Sequence, residues 1–204
     1  MNTKKYLHFL QKEIHSTAMA TIGSDGHPQT RMIDIMLADD TCLYFITAKG
    51  KEFYRQLTEQ KYVALTGMNR KKQAVSLRGR IRSADSSLLE RVFTENPYMK
   101  EIYPQQESRS ALEVFCIYEG QGEFFDLSCT PIFRDTFVLG NAQAQKSGYF
   151  VQATCIGCKL CYSVCPQKCI DIAEKPAVIR QEHCLHCGRC EEICPVHAVQ
   201  RIGG

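Results

Sequence analysis

The sequence lacks tryptophan, lacks any long apolar run and carries a formal net charge of only +3 over 204 residues. A membrane-spanning helix needs about 20 consecutive apolar residues, and no segment approaches that. So small a net charge gives no electrostatic argument for nucleic acid or a membrane surface. The first ten residues are a mixed, lysine-containing stretch without the apolar core of a secretory signal. A cytoplasmic protein without nucleic-acid or membrane partners is therefore expected. What the chain has in excess is cysteine. There are twelve, and nine fall after residue 150 at short, repeated spacings. Disulfides do not require such regularity, whereas metal ligation does.

Before that region the pattern is that of a mixed α+β domain. Thr3–Ile14 reads as a helix and Thr17–Gly23 as a strand. Ser24–Pro28 is dense in turn formers. Gln29–Leu37 and Thr41–Thr47 read as strands around an Asp39-Asp40 turn. Lys51–Gln60 has helical spacing, with Phe53, Tyr54 and Leu57 on its buried side. Tyr62–Met68 and Ala74–Ser83 form an expected antiparallel pair, with Arg78, Arg80 and Arg82 alternating outward. Ser86–Thr94 is a helix stopped by Pro97, and Glu113–Tyr118 and Glu123–Leu127 are two late strands. Phe133–Leu139 is a candidate for one more. Many short strands with brief helices between them predict a small barrel. The boundaries read as a barrel over 1–139, a polar linker over 140–148 and a second domain over 149–204.

The second domain contains an internal repeat. Cys155–Pro166 and Cys184–Pro195 match at an offset of 29 residues, and each carries C-x-x-C-x-x-C-x-x-x-C-P. Three thiolates on one tight loop can take three irons of a cuboidal cluster. Over its whole length the domain resembles the two-cluster bacterial ferredoxins, in which the fourth cysteine of each run serves the other cluster. That implies Cys155, Cys158, Cys161 and Cys194 for one [4Fe–4S] cluster, and Cys184, Cys187, Cys190 and Cys165 for the second. The competing reading is two zinc sites, but zinc collects paired C-x-x-C knuckles without a third thiol at this spacing. Cys169 departs from the ferredoxin pattern and reads as a small buried hydrophobe. His183, His186 and His197 flank the loops as surface residues. Cys42, Cys116 and Cys129 are single thiols with no partner implied. Residues 149–204 hold six Lys/Arg against five Asp/Glu, unlike the strongly acidic free ferredoxins.

Residues 5 to about 139 resemble the pyridoxamine 5′-phosphate oxidase-like FMN-binding split barrels. The residues that carry the likeness are Asp25–Ile33, Leu43–Thr47, Lys51 at a helix start and Phe137–Asn141. The resemblance implies an N-terminal split β-barrel followed by a small ferredoxin-like domain. It implies FMN, with Arg31, Thr47 and Lys51 on its phosphate and the backbone of Met32, Ile33 and Ile46 against its ring. Lys49 stands as a substitute phosphate contact, and Gln73 or Ser76 as a flavin-edge residue. A phosphate dianion does want converging cations and a hydroxyl near a helix start. A homodimer is implied as well. The substrate-recognising C-terminal segment of the oxidases is missing, and this superfamily also holds haem and F420. Three functions follow: a flavin-dependent reductase acting on a small molecule, an electron relay to a redox partner protein, or a haem-binding barrel. Tyr6, His8, His15 and His27 are candidate proton donors for the first.

Overall fold

The computed structural model describes residues 3–203. Two compact units are present: residues up to Phe124 with Thr136–Gln143, and Phe125–Asp135 with the chain from Ala144 onward. The segment 140–148, read as a linker, is thus shared between them.

In the first unit, α1 (Thr3–Phe9) runs into a π-helical turn, Leu10–Ile14. The chain then enters β1 (Ser16–Ile22), β2 (Pro28–Asp34), β3 (Leu37–Ala38) and β4 (Leu43–Ala48). After α2 (Glu52–Gln60) come β5 (Tyr62–Met68) and β6 (Gln73–Ser83). Three short helices follow, α3 (Leu88–Glu95), α4 (Met99–Ile102) and α5 (Gln106–Arg109). β7 (Leu112–Asp126) and β8 (Phe133–Leu139) complete a curled sheet of order β2-β1-β5-β6-β7-β4-β3, with β8 on β7. This is the split barrel. Alternation places the residues: along β6, Val75, Leu77 and Ile81 point inward, while Arg78, Arg80 and Arg82 are exposed. Phe45, Phe115, Phe137, Leu7, Leu10 and Met19 fill the interior, each contributing about 1.5–3 kcal/mol by burial.

Two strand expectations change. Gln29–Leu37 divides because the chain changes partner: Ile35 N–H bonds His15 O, and Met36 N–H bonds Tyr44 O. The switch carries the strand from β1 to β4 and helps curl the sheet. The two late strands, in turn, are one strand of 15 residues. Gly120, in the interval between the two expected strands, lies where β7 meets β6. A Cβ there would strike the Arg78 carbonyl, and one on Gly79 would strike that of Glu119. The glycines permit close backbone approach without ending the strand.

The second unit is closed by its ends, β9 (Gly148–Val151) pairing antiparallel with β12 (Val199–Ile202). Between them lie α6 (Leu160–Val164), the hairpin β10 (Ile170–Asp171)–β11 (Val178–Ile179) and α7 (Arg189–Glu192). Phe125–Asp135 joins this unit through Ile132, whose N–H bonds Gln167 Oε1 at 2.9 Å and whose carbonyl faces His183 Nδ1 at 2.8 Å.

Candidate cofactor sites

The repeat in the second unit extends to the backbone. Gly157 and His186, 29 residues apart, both have positive φ, as do Lys159 and Gly188, and Lys168 and His197. Each C-x-x-C-x-x-C loop therefore needs two left-handed residues, and each places glycine at a different one of them. So folded, the loops cup their thiols around two cavities. Cys155, Cys158, Cys161 and Cys194 line the first, of about 460 Å³. Cys165, Cys184, Cys187 and Cys190, together with Cys169, line the second, of about 330 Å³. In both, three thiols come from one loop and the fourth from the other. Among the described residues, no three His, Cys, Asp or Glu side chains converge on a point suited to a single ion. The sulfurs surround a volume instead.

The thiols are not electrostatically alike. Burial alone would raise Cys194, but N–H groups of Val196, Val199, Ala198 and His197 outweigh it and lower its pKa. The Ala198 N–H lies 3.2 Å from its sulfur. Cys184 is pushed down to about 6, first by the Cys169 thiol, with burial opposing, then by the His186 N–H and the Arg134 charge. Cys190 is pushed up to about 11 by burial and the neighbouring Cys184. Lowered values favour the thiolate that binds iron. His186 is half-buried, with its ring edge-on to Tyr149, and His197 is exposed.

In the barrel, α2 packs on β1 and β4, and Arg31 reaches Phe53 and Gln56 on it. Arg31 stacks on Phe53, 4.4 Å from the ring centre. Its guanidinium donates to Thr21 Oγ1, Gln29 O and Oε1, and Gln56 Oε1. Burial pulls its pKa down and Glu52 opposes that. Lys51 stands at the cap of α2 with its side chain exposed, and its N–H bonds Ala48 O. Thr47, at the end of β4, is buried, and its hydroxyl has no hydrogen-bond partner. A buried, unpaired donor four residues before Lys51 suits an anionic oxygen. Lys49 is held outward, its Nζ on Ser110 O at 3.3 Å.

Met32 and Ile33 lie on β2, at one end of the sheet order, so one edge of their backbone is unpaired in the sheet. Ile46 pairs with Val114 and buries its side chain beside Met36 and Val92. Gln73 is away from this group, at the β5–β6 turn, where its Oε1 accepts from Asn69. Ser76 bonds Thr66. Of the proton-donor candidates, Tyr6 is buried against Phe124, His8 lies 3.9 Å from Asp40 and His27 is exposed in its turn. His15 alone enters a polar cluster. Its Nε2 is 3.2 Å from Tyr98 OH, which donates to Asp34 at 2.6 Å. Burial would raise Asp34, but the Ser16 and Tyr98 hydrogen bonds and the nearby His15 hold it below its usual value. Sequence reasoning missed Tyr98, Thr21 and Gln56, because only the fold brings them to their partners.

Residues 3–118 match the family model described as pyridoxamine 5′-phosphate oxidase, and residues 154–198 match that of a 4Fe–4S dicluster domain. Among solved structures, a NimC/NimA family protein from Clostridium acetobutylicum is 23% identical, with a TM-score of 0.58, over 68% of this chain and 92% of that one. PhzG from Burkholderia lata, solved with tetrahydrophenazine-1-carboxylic acid, is 17% identical with a TM-score of 0.52, over 67% and 89%. A heme binding protein from Mycobacterium smegmatis is 11% identical with a TM-score of 0.52, over 68% and 58%. At these identities the likeness shows the fold. No curated protein matches the sequence.

Proposed function

The chain belongs to the pyridoxamine 5′-phosphate oxidase family and carries a 4Fe–4S dicluster domain behind its barrel; from that premise we propose that it is an iron–sulfur flavoprotein reducing a small substrate. The observation that carries this reading is the division of the eight patterned cysteines, four to each of two cavities, on a chain whose barrel carries Arg31, Lys51 and a buried Thr47 hydroxyl without a partner. When bound, the clusters supply single electrons and FMN joins them into a two-electron reduction.

Each residue then has a task. Cys155, Cys158, Cys161 and Cys194 hold one cluster, and Cys184, Cys187, Cys190 and Cys165 the other. Arg31 and Lys51 neutralise the flavin phosphate, with Lys49 within the same turn, and Thr47 donates to a phosphate oxygen. The unpaired edge of β2 at Met32 and Ile33, with Ile46 behind it, offers backbone groups to the flavin ring. A homodimer is part of this proposal. The outer face around Met32 and Met68, 66% and 60% exposed, is apolar for a sheet surface.

The test is anaerobic purification with iron, sulfide and flavin quantified and the spectrum recorded. Eight irons, eight sulfides and one FMN per chain are expected, with the flavin reoxidised by a small-molecule acceptor. A Soret band in place of flavin absorbance would make the barrel a haem binder. Flavin that only a partner protein can reoxidise would make the chain a relay.

A further inference from the structure

The internal repeat allows the two cavities to be compared position by position. At an offset of 29, Cys165 corresponds to Cys194 and Cys169 to Ala198. Thus a thiol stands beside the second cavity where a methyl group stands beside the first. Cys169 is 5% exposed, and its Sγ lies 3.5 Å from Cys165 Sγ. It also lines the second cavity together with Cys184, from the opposite loop. Cys165 and Cys184 are the ones that the proposed ligation brings to one cluster from different halves of the repeat. Against a ligand sulfur, which carries no proton once it binds iron, the Cys169 thiol can only be the donor.

The surroundings differ as well. Cys165, Cys184 and Cys190 are buried, whereas none of the four thiols of the first cavity is. Burial by itself disfavours adding negative charge and would make the second cluster the harder to reduce. An S–H donor aimed at a ligand sulfur acts the other way, since hydrogen bonds to cluster sulfurs raise the potential.

We propose that Cys169 is a positioning residue that tunes the second cluster: its S–H donates to Cys165 and makes that cluster easier to reduce than its burial would allow. The inference rests on the ligation proposed above. Cys169 does not bind iron in this scheme. It stabilises the one negative charge gained when the cluster takes one electron, and it keeps its own proton throughout.

The experiment is an anaerobic dithionite titration followed by electron paramagnetic resonance, on wild type, Cys169→Ala, Cys169→Ser and Ala198→Cys, each first assayed for iron and sulfide. In Cys169→Ala, one of the two midpoints should fall and the other stay. At the poise where the wild-type cluster is half reduced, the reduced-to-oxidised ratio should drop about three- to tenfold, tenfold being about 59 mV for a one-electron couple. Cys169→Ser, which keeps a donor, should restore most of the ratio. Ala198→Cys should raise the other midpoint, and it carries the test should Cys169→Ala not fold. Unchanged midpoints in all variants with eight irons retained would overturn this inference and leave the ligation standing. Wild type without iron would overturn both.

Discussion

Arg31 is held in place by neutral groups, four acceptors and the face of Phe53. Its charge is therefore oriented without a hydrogen-bonded counter-ion, Glu52 acting on it only through space, which suits an anion site. Replacing Arg31 or Lys51 with alanine should each remove a charge-assisted contact of about 1.5–3 kcal/mol, and so weaken FMN binding about 10- to 150-fold. Riboflavin, without the phosphate, should be nearly indifferent to both changes. Fluorescence titration with the two flavins decides the matter, since equal losses would mean that the barrel had been damaged. At the cysteines, Cys194→Ala should harm the cluster of Cys155, Cys158 and Cys161, because those thiols share its cavity. Electron paramagnetic resonance showing the loss at the other cluster would refute the crossed ligation. The two sets of four were legible from the doubled spacing and the ferredoxin likeness, and the two cavities group the same residues. Cys169 was not: its partners lie in space, and as a lone thiol it reads as a small hydrophobe. Likewise, nothing local distinguishes Gln56 or Thr21 from any other polar residue.

The elements of the barrel were legible wherever burial alternates. β1, β5 and β6 follow their apolar pattern, and α2 its helical one. Legibility failed at glycine, which signals a break in sequence but serves here as clearance between backbones. The crossing of β6 and β7 at Gly79 and Gly120 gives that statement a number. In Gly79→Ala the new methyl meets the Glu119 carbonyl and Gly120 Cα, backbone atoms that cannot swing aside. Destabilisation of about 1–3 kcal/mol is expected, as for other overpacked sites. Gly50→Ala is the control, for a Cβ there meets nothing within 4 Å. It should be neutral or slightly stabilising. Urea unfolding of the two variants checks this, and equal midpoints would mean that the crossing is looser than described. The partner switch of the chain at Ile35 and Met36 was also illegible, since the apolar run continues through it. So was the pairing of β9 with β12, which joins residues about 50 positions apart.

At the scale of the whole molecule, the connection between the units matters more than either alone. The sequence reads as two domains on a linker, yet the chain passes between the units after Phe124, after Asp135 and again after Gln143. Phe125–Asp135 was read within the barrel, and the hydrogen bonds of Ile132 to Gln167 and His183 join residues too far apart in sequence to be read from it. A cluster domain joined in this way needs no steering charge to find an acceptor on its own chain, because tethering sets a high effective concentration. The near balance of six cations and five carboxyl groups over residues 149–204 fits that role. Flavin reduction should therefore follow cluster reduction within one molecule or dimer. Its rate should be independent of protein concentration and only weakly dependent on salt, whereas transfer between separate molecules slows on dilution and responds to screening. Rapid mixing with a one-electron reductant, with cluster bleaching and flavin reduction followed at several protein concentrations, separates the two cases. If flavin reduction is second order in protein, or never follows the clusters, the barrel is not their acceptor. The second unit would then serve a separate reductase, and its joining to the barrel would need a different physical reason from electron delivery.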